Sequence, residues 1–209
     1  MFMYKMKYKI AVILIIAFAL TSCIVVKKDS DYGDYRTISL SPKPQIEMSE
    51  NVVRSYNGDM IAFLPKDWFF IDIEEDVSSE IFAVAVNPEY TLSLIFIVRK
   101  RAQPTVDVVE DEGLFGLSRL ALEMHQKKTG GSVASVGRPT LIKMGNKEFV
   151  EFEFSNSGGA LSTKAAVFIS SIGNYYEIAL TPMTFRGKPL PTSKEMDMIF
   201  RSVLATVQF

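Results

Sequence analysis

The 209-residue chain has one cysteine, one histidine and one tryptophan, and each scarcity removes a class of chemistry. A lone thiol, Cys23, makes no internal disulfide, so the fold must rest on its hydrophobic core. A lone imidazole, His125, argues against His-rich metal sites and leaves a serine or cysteine nucleophile little choice of base. Excess positive charge is missing as well. The formal net charge is -1, and the first 22 residues hold Lys5, Lys7 and Lys9 and no acid, so without them 20 basic groups face 24 acidic ones. A nucleic-acid partner, which needs clustered Lys and Arg to replace phosphate counterions, is not expected. Glycine-rich phosphate loops and calcium-loop spacings are also absent. Lys128-Thr129-Gly130 has the KTG of penicillin-recognising enzymes, but no Ser-x-x-Lys accompanies it, so it reads as a chance match. No catalytic residue is nominated, and no cofactor or metal is expected.

What is present is most specific at the N-terminus. Residues 1–9 are short and basic, and the 11-residue apolar run IAVILIIAFAL over 10–20 has the length of a secretory h-region, well short of the ~20 residues that span a bilayer. The run closes on Leu20-Thr21-Ser22-Cys23, which resembles the bacterial lipobox. That resemblance implies a signal peptide over residues 1–22, cleavage between Ser22 and Cys23, and acyl chains on Cys23. Several buried chains, at about 0.8 kcal/mol per methylene, anchor a protein to a membrane stably. Ile24, where Asp would retain an enteric lipoprotein at the inner membrane, favours the outer membrane. An uncleaved signal anchor is the alternative, because Ile24-Val25-Val26 stretch the apolar run to 17 residues.

Residues 27–55 are polar, with Pro42 and Pro44 and no sustained period, and read as a flexible tether. The globular part is expected over 56–209. Strands are expected at 59–64, 68–73, 81–86 and 91–98, a four-strand meander with a turn at Pro65-Lys66-Asp67. Leu114, Leu117, Leu120, Ala121 and Met124 then recur at helical steps, with Asp107 and Glu110 spaced as a capping box. Gly113 and Gly116 each cost about 1 kcal/mol inside a helix, so its first turns are expected to be irregular or closely packed. Four further strands follow over 133–181, punctuated by Gly145-Asn146, residues 155–159 and Gly173-Asn174. The alternation of Val150, Phe152 and Phe154 with Glu151 and Glu153, and of Tyr176, Ile178 and Leu180 around Glu177, suggests a sheet wet on one face. A last helix opens on a capping box, Thr192 and Glu195.

This order is an α+β arrangement, an antiparallel sheet of short meander strands covered by one mid-chain helix and one C-terminal helix. Tyr56, Gly58, Ile61, Phe63, Pro65 and Trp68, with the closing FRSVLATVQF over 200–209, resemble the PsbP-like domain. The family often carries glycine where this chain has Asp67, a residue that tolerates a left-handed backbone. In exported bacterial proteins that resemblance implies a docking or assembly module.

Trp68 reads as a packing residue and His125 as a solvated or satisfied one. The acidic runs Asp72, Glu74, Glu75, Asp76 and Asp107, Glu110, Asp111, Glu112 read as solvated. Arg99-Lys100-Arg101 forms a small basic cluster. For binding a partner the candidates are Phe185, Arg186 and Lys188, an aromatic with flanking cations in the proline-stiffened loop 182–191. The chain is thus expected to be a lipid-anchored envelope lipoprotein, held through Cys23, that binds an envelope protein without catalysis. A small-molecule binder or hydrolase built on carboxylates and hydroxyls is the competing reading.

Overall fold

In a computed structural model, residues 35–72, 79–156 and 161–209 are described, and Tyr32–Phe209 forms one compact unit. The leader, Cys23, the acids Glu74 to Asp76 and residues 157–160 lie outside the described residues. Ten strands and two helices are found among the described residues: β1 (Arg36–Leu40), β2 (Met48–Arg54), β3 (Ile61–Pro65), β4 (Phe69–Phe70), β5 (Ile81–Val86), β6 (Leu92–Arg99), α1 (Gln103–Lys128), β7 (Val133–Met144), β8 (Lys147–Asn156), β9 (Ser162–Ile169), β10 (Tyr175–Pro182) and α2 (Ser193–Thr206).

Eight strands make one sheet in the order β1-β7-β8-β9-β10-β6-β5-β4, and β2 with β3 makes a second, two-stranded one. All pairings in the large sheet are antiparallel except β1 with β7. The period-2 alternation of side chains builds a core on each face. On one face Phe96, Phe149, Phe168, Tyr176 and Leu180 pack with Met60, Leu64 and Trp68 and with Phe200, Val203 and Leu204 of α2. On the other, Val150, Phe152, Phe154, Val167 and Ala179 pack against Leu117 and Ala121 of α1.

The α+β architecture, a large sheet covered by a mid-chain and a C-terminal helix, agrees with the sequence, and four details differ. Residues 36–54 are not a tether: Arg36–Leu40 runs parallel along β7 from Thr140 to Met144, and Val52, Val53 and Arg54 pair with Phe63, Ala62 and Ile61. Their period is hidden because β1 is an edge strand with mostly exposed side chains and β2 shifts register between Met48 and Val52. The four-strand meander is also only partly real, since β3 belongs to the small sheet and only β4, β5 and β6 are consecutive neighbours. Neither face is wet at its centre: Glu177 and Glu151 are buried among charged partners under the helices.

The fourth difference is α1. Its N-cap is Ala102 with no side-chain cap, so Asp107 and Glu110 lie inside the helix and not at its start; Asp107 instead accepts a 2.7 Å hydrogen bond from Gln103. At Gly113 the backbone is non-helical (φ 60°, ψ -145°). A Cβ on Gly116 would meet Val108 Cγ1 and Val108 O at 2.8 Å, although eight residues of straight helix span about 12 Å. The segments 103–112 and 114–128 therefore fold back on each other as a helical hairpin. By contrast, α2 begins as expected, with Thr192 and Glu195 in a reciprocal capping box. The turn at Asp67 takes φ 64°, and the end of the chain bridges back to β3 through Ile61 and Gln208.

Candidate functional site

Phe185, Arg186 and Lys188 are all exposed and sit on a tight turn in which Lys188 N donates to Phe185 O at 3.1 Å, with Gly187 supplying φ 81°. Just before it, Met183 N donates to Thr91 O at 2.7 Å, which ties the loop to the β5–β6 turn. That turn is built by Asn87, whose Oδ1 accepts from Thr91 N and Leu92 N at 2.8 Å each, and it holds Tyr90 at φ 57°. The Tyr90 ring lies 5.9 Å from Phe185 and 5.6 Å from Phe69 on the edge strand β4. Phe70 and Ile71 are exposed beside it. Three segments far apart in sequence thus place Phe69, Tyr90 and Phe185 in a row at the sheet edge, with two cations on the same turn. Sequence reading found Phe185 but missed Phe69 and Tyr90, because nothing in their local pattern shows that β4 and the β5–β6 turn meet the loop.

The basic cluster Arg99-Lys100-Arg101 is dispersed by strand alternation. Lys100 is exposed, and the Arg101 guanidinium sits 5.6 Å from the Tyr175 ring centre. Arg99 turns inward with only 4% of its surface accessible. It pairs with fully buried Glu177, to which its Nε donates at 2.8 Å, and lies 3.5 Å from Glu80. His125 Nε2 is 2.6 Å from Glu177 Oε1; a carboxylate only accepts, so this nitrogen carries the proton. Burial pushes the Glu177 pKa up, but the hydrogen bond from His125 and the Arg99 charge outweigh it and leave it below the usual glutamate value. His125 is satisfied, stacked on Phe154 at 4.5 Å.

A second ionic cluster lies under α2. Glu151, Glu153 and Asp197 bring carboxylate oxygens within 4.8 Å of one another, and the buried Lys164 ammonium sits among them, bonded to Glu153 and 2.7 Å from Asp197. Burial works against the Lys164 charge, yet those hydrogen bonds prevail and raise its pKa. Burial raises that of Glu151. The protein's own ammonium thus fills the place a metal ion would take. None of the described residues of the two acidic runs singled out in the sequence is in this cluster.

Asp59 ties two loops together. Its carboxylate accepts from Ser55 at 2.8 Å, Ser170 at 2.5 Å, Asn174 at 3.0 Å and Tyr176 at 2.5 Å. Burial opposes its charge, but the four donors bring its pKa down to about 2. A carboxylate depressed in the folded state stabilises fully above its unfolded pKa and loses that contribution as pH falls through the folded one. Asp59→Ala, which strips several donors of their acceptor, is expected to cost about 2–3 kcal/mol at pH 7. The deficit should shrink between about pH 4 and pH 2, as denaturant melts at several pH values would show. A constant deficit across that range would contradict the charged role.

No family model and no curated protein matches the chain. Among solved structures, the chain is similar to cyanobacterial PsbP (CyanoP) from Synechocystis sp. PCC 6803, with 12% identity, 76% of this chain and 91% of that one covered, and a TM-score of 0.55. Two looser likenesses are to a protein from Bacteroides thetaiotaomicron, at 16% identity over 75% of this chain and 47% of that one with a TM-score of 0.34, and to LpqN, involved in cell envelope biogenesis of Mycobacterium tuberculosis, at 11% identity over 77% and 90% with a TM-score of 0.38. The first shows that the chain has the PsbP-like α+β fold.

Proposed function

We propose that the chain is an envelope lipoprotein, anchored through acylated Cys23, whose folded unit is a non-catalytic module that docks a protein partner on the Phe69, Tyr90 and Phe185 row. The observation that carries this reading is the row itself. Large aromatics are the residues most often drawn into a core, yet these three stay 37–50% exposed on a rigid turn and an edge strand. Exposed apolar clusters flanked by arginine have the composition of interface centres. Anchoring is supported by the lipobox resemblance. With β1 beginning at Arg36, the link from Cys23 to the folded unit reaches at most about 45 Å.

The docking surface is tested by placing a photoreactive amino acid at 185 and, as a control, at exposed Lys143, in cells making the full chain. One discrete crosslinked protein from 185 and none from 143 is expected. Tyr90→Ser should cut its yield about tenfold while shifting stability by no more than about 0.5 kcal/mol, the usual range for a surface substitution. Equal labelling from both sites, or none from 185, would count against the patch. The anchor is tested separately: fatty-acid label should enter the wild type and not Cys23→Ala, and a signal-peptidase II inhibitor should make the precursor accumulate.

A further inference from the structure

An apolar concavity among the described residues shares no residue with the aromatic row. It lies where the helical hairpin of α1 meets the sheet, has a volume of about 390 Å³ and is open on one side. Thr105 comes from the first helical segment, and Leu117, Leu120, Ala121 and Met124 from the second. In a straight helix Thr105 and Leu120 would stand about 22 Å apart, so the cavity exists only because the chain reverses at Gly113. Its size falls within the ~300–1,000 Å³ typical of small-ligand sites.

Polar groups in this cavity differ in how far they are already committed. Glu80 is 3.5 Å from Arg99 and 3.4 Å from Lys128, so the charges on the floor answer one another. Glu123 at the mouth is held by Arg119 at 2.9 Å. Lys100 and Lys127, also at the mouth, are exposed and have no ion-pair partner among the described residues. The site therefore presents a carbon-lined interior with uncommitted positive charge at its entrance.

We propose that this cavity binds a single-chain amphiphile, its apolar chain lying against Leu117, Leu120 and Met124 and its anionic head on Lys100 and Lys127. A fatty acid and a lysolipid share that chemistry. A compact polar ligand would waste the carbon lining, and a cationic head would meet two like charges. The reading is independent of the docking patch, and either can fail without the other.

The test uses the soluble unit 32–209, which contains both cores, with dansyl-undecanoate as probe. Saturable binding with a blue-shifted emission is expected, displaced by dodecanoate and at least about tenfold less well by neutral dodecyl maltoside. Lys100→Glu with Lys127→Glu should weaken binding about tenfold or more. Leu120→Trp, which fills the cavity from a half-buried position, should abolish binding with an unchanged circular dichroism spectrum. If that variant misfolds, Thr105→Trp fills the same space from the other helical segment. Absence of saturable binding overturns the proposal, as does binding that survives both tryptophans. Attachment to anionic vesicles that depends on the lysines and ignores cavity filling would show surface attraction only, and would also overturn it.

Discussion

Arg99→Ala is expected to lower the unfolding free energy by about 3–5 kcal/mol, the largest loss for any single polar side chain in the domain. The reason is the charge it leaves behind. Glu177 has no exposed side-chain surface and Glu80 very little, so without the guanidinium two buried carboxylates compete for His125 and Lys128. For a domain of this size, about 2–4 °C per kcal/mol translates the loss into a fall of roughly 10 °C in Tm. A double replacement, Arg99→Met with Glu177→Leu, removes both charges and keeps most of the volume. It should recover much of the loss, because well-packed apolar residues often equal a buried ion pair. A cost below about 1 kcal/mol for Arg99→Ala would mean that Glu177 is not ionised in the folded protein.

The same pair predicts the acid response. Because the folded pKa of Glu177 is held below its unfolded value, its contribution is complete above the ordinary glutamate pKa of about 4.3 and drains away as pH falls through the folded value. The double variant lacks that group, so its stability should fall less steeply on the acid side. Comparing the two pH profiles separates the ionic contribution from the packing one.

Much of this architecture is legible in the sequence where short-range rules dominate. Thr192 and Glu195 mark the start of α2, Asp67 takes the left-handed turn, and Ile178, Leu180 and Phe200 fall on the buried faces their periods imply. What stayed hidden depends on pairing partners. Arg36–Leu40 looks like linker because an edge strand buries little. Glu151, Glu153 and Glu177 look like solvent-facing positions, since alternation shows that two faces differ and not that both are covered. Their answering cations, Lys164 and Arg99, lie on neighbouring strands and become visible only when β9 pairs with β8 and β6 with β10. The candidate site divides the same way. Phe185 and its cations stand out as composition in a proline-bounded loop, whereas Phe69 and Tyr90 join it through tertiary contact alone.

Gly116→Ala should destabilise the protein by about 1–3 kcal/mol, although the same change in an ordinary helix interior gains about 1 kcal/mol. The reversed sign follows from the hairpin. The added Cβ would fall 2.7 Å from Glu112 Cβ and 2.8 Å from both Val108 Cγ1 and the Val108 carbonyl oxygen. A backbone oxygen cannot step aside as a flexible side chain can, so the first helical segment must be pushed off the second. Gly113→Ala should cost a similar amount for another reason: φ 60° with ψ -145° is close to a region that only glycine occupies freely, worth about 1–3 kcal/mol of strain for any other residue. Hydrogen exchange should quicken over 103–112 in both variants while β8 and β9 keep their protection, because the hairpin opens locally before the sheet does. Loosening it also removes Thr105 from the wall of the apolar cavity, so dansyl-undecanoate should bind more weakly in proportion to the lost protection. A Gly116→Ala protein more stable than wild type would mean that the two segments do not touch at Val108, and the cavity they enclose would go with that contact.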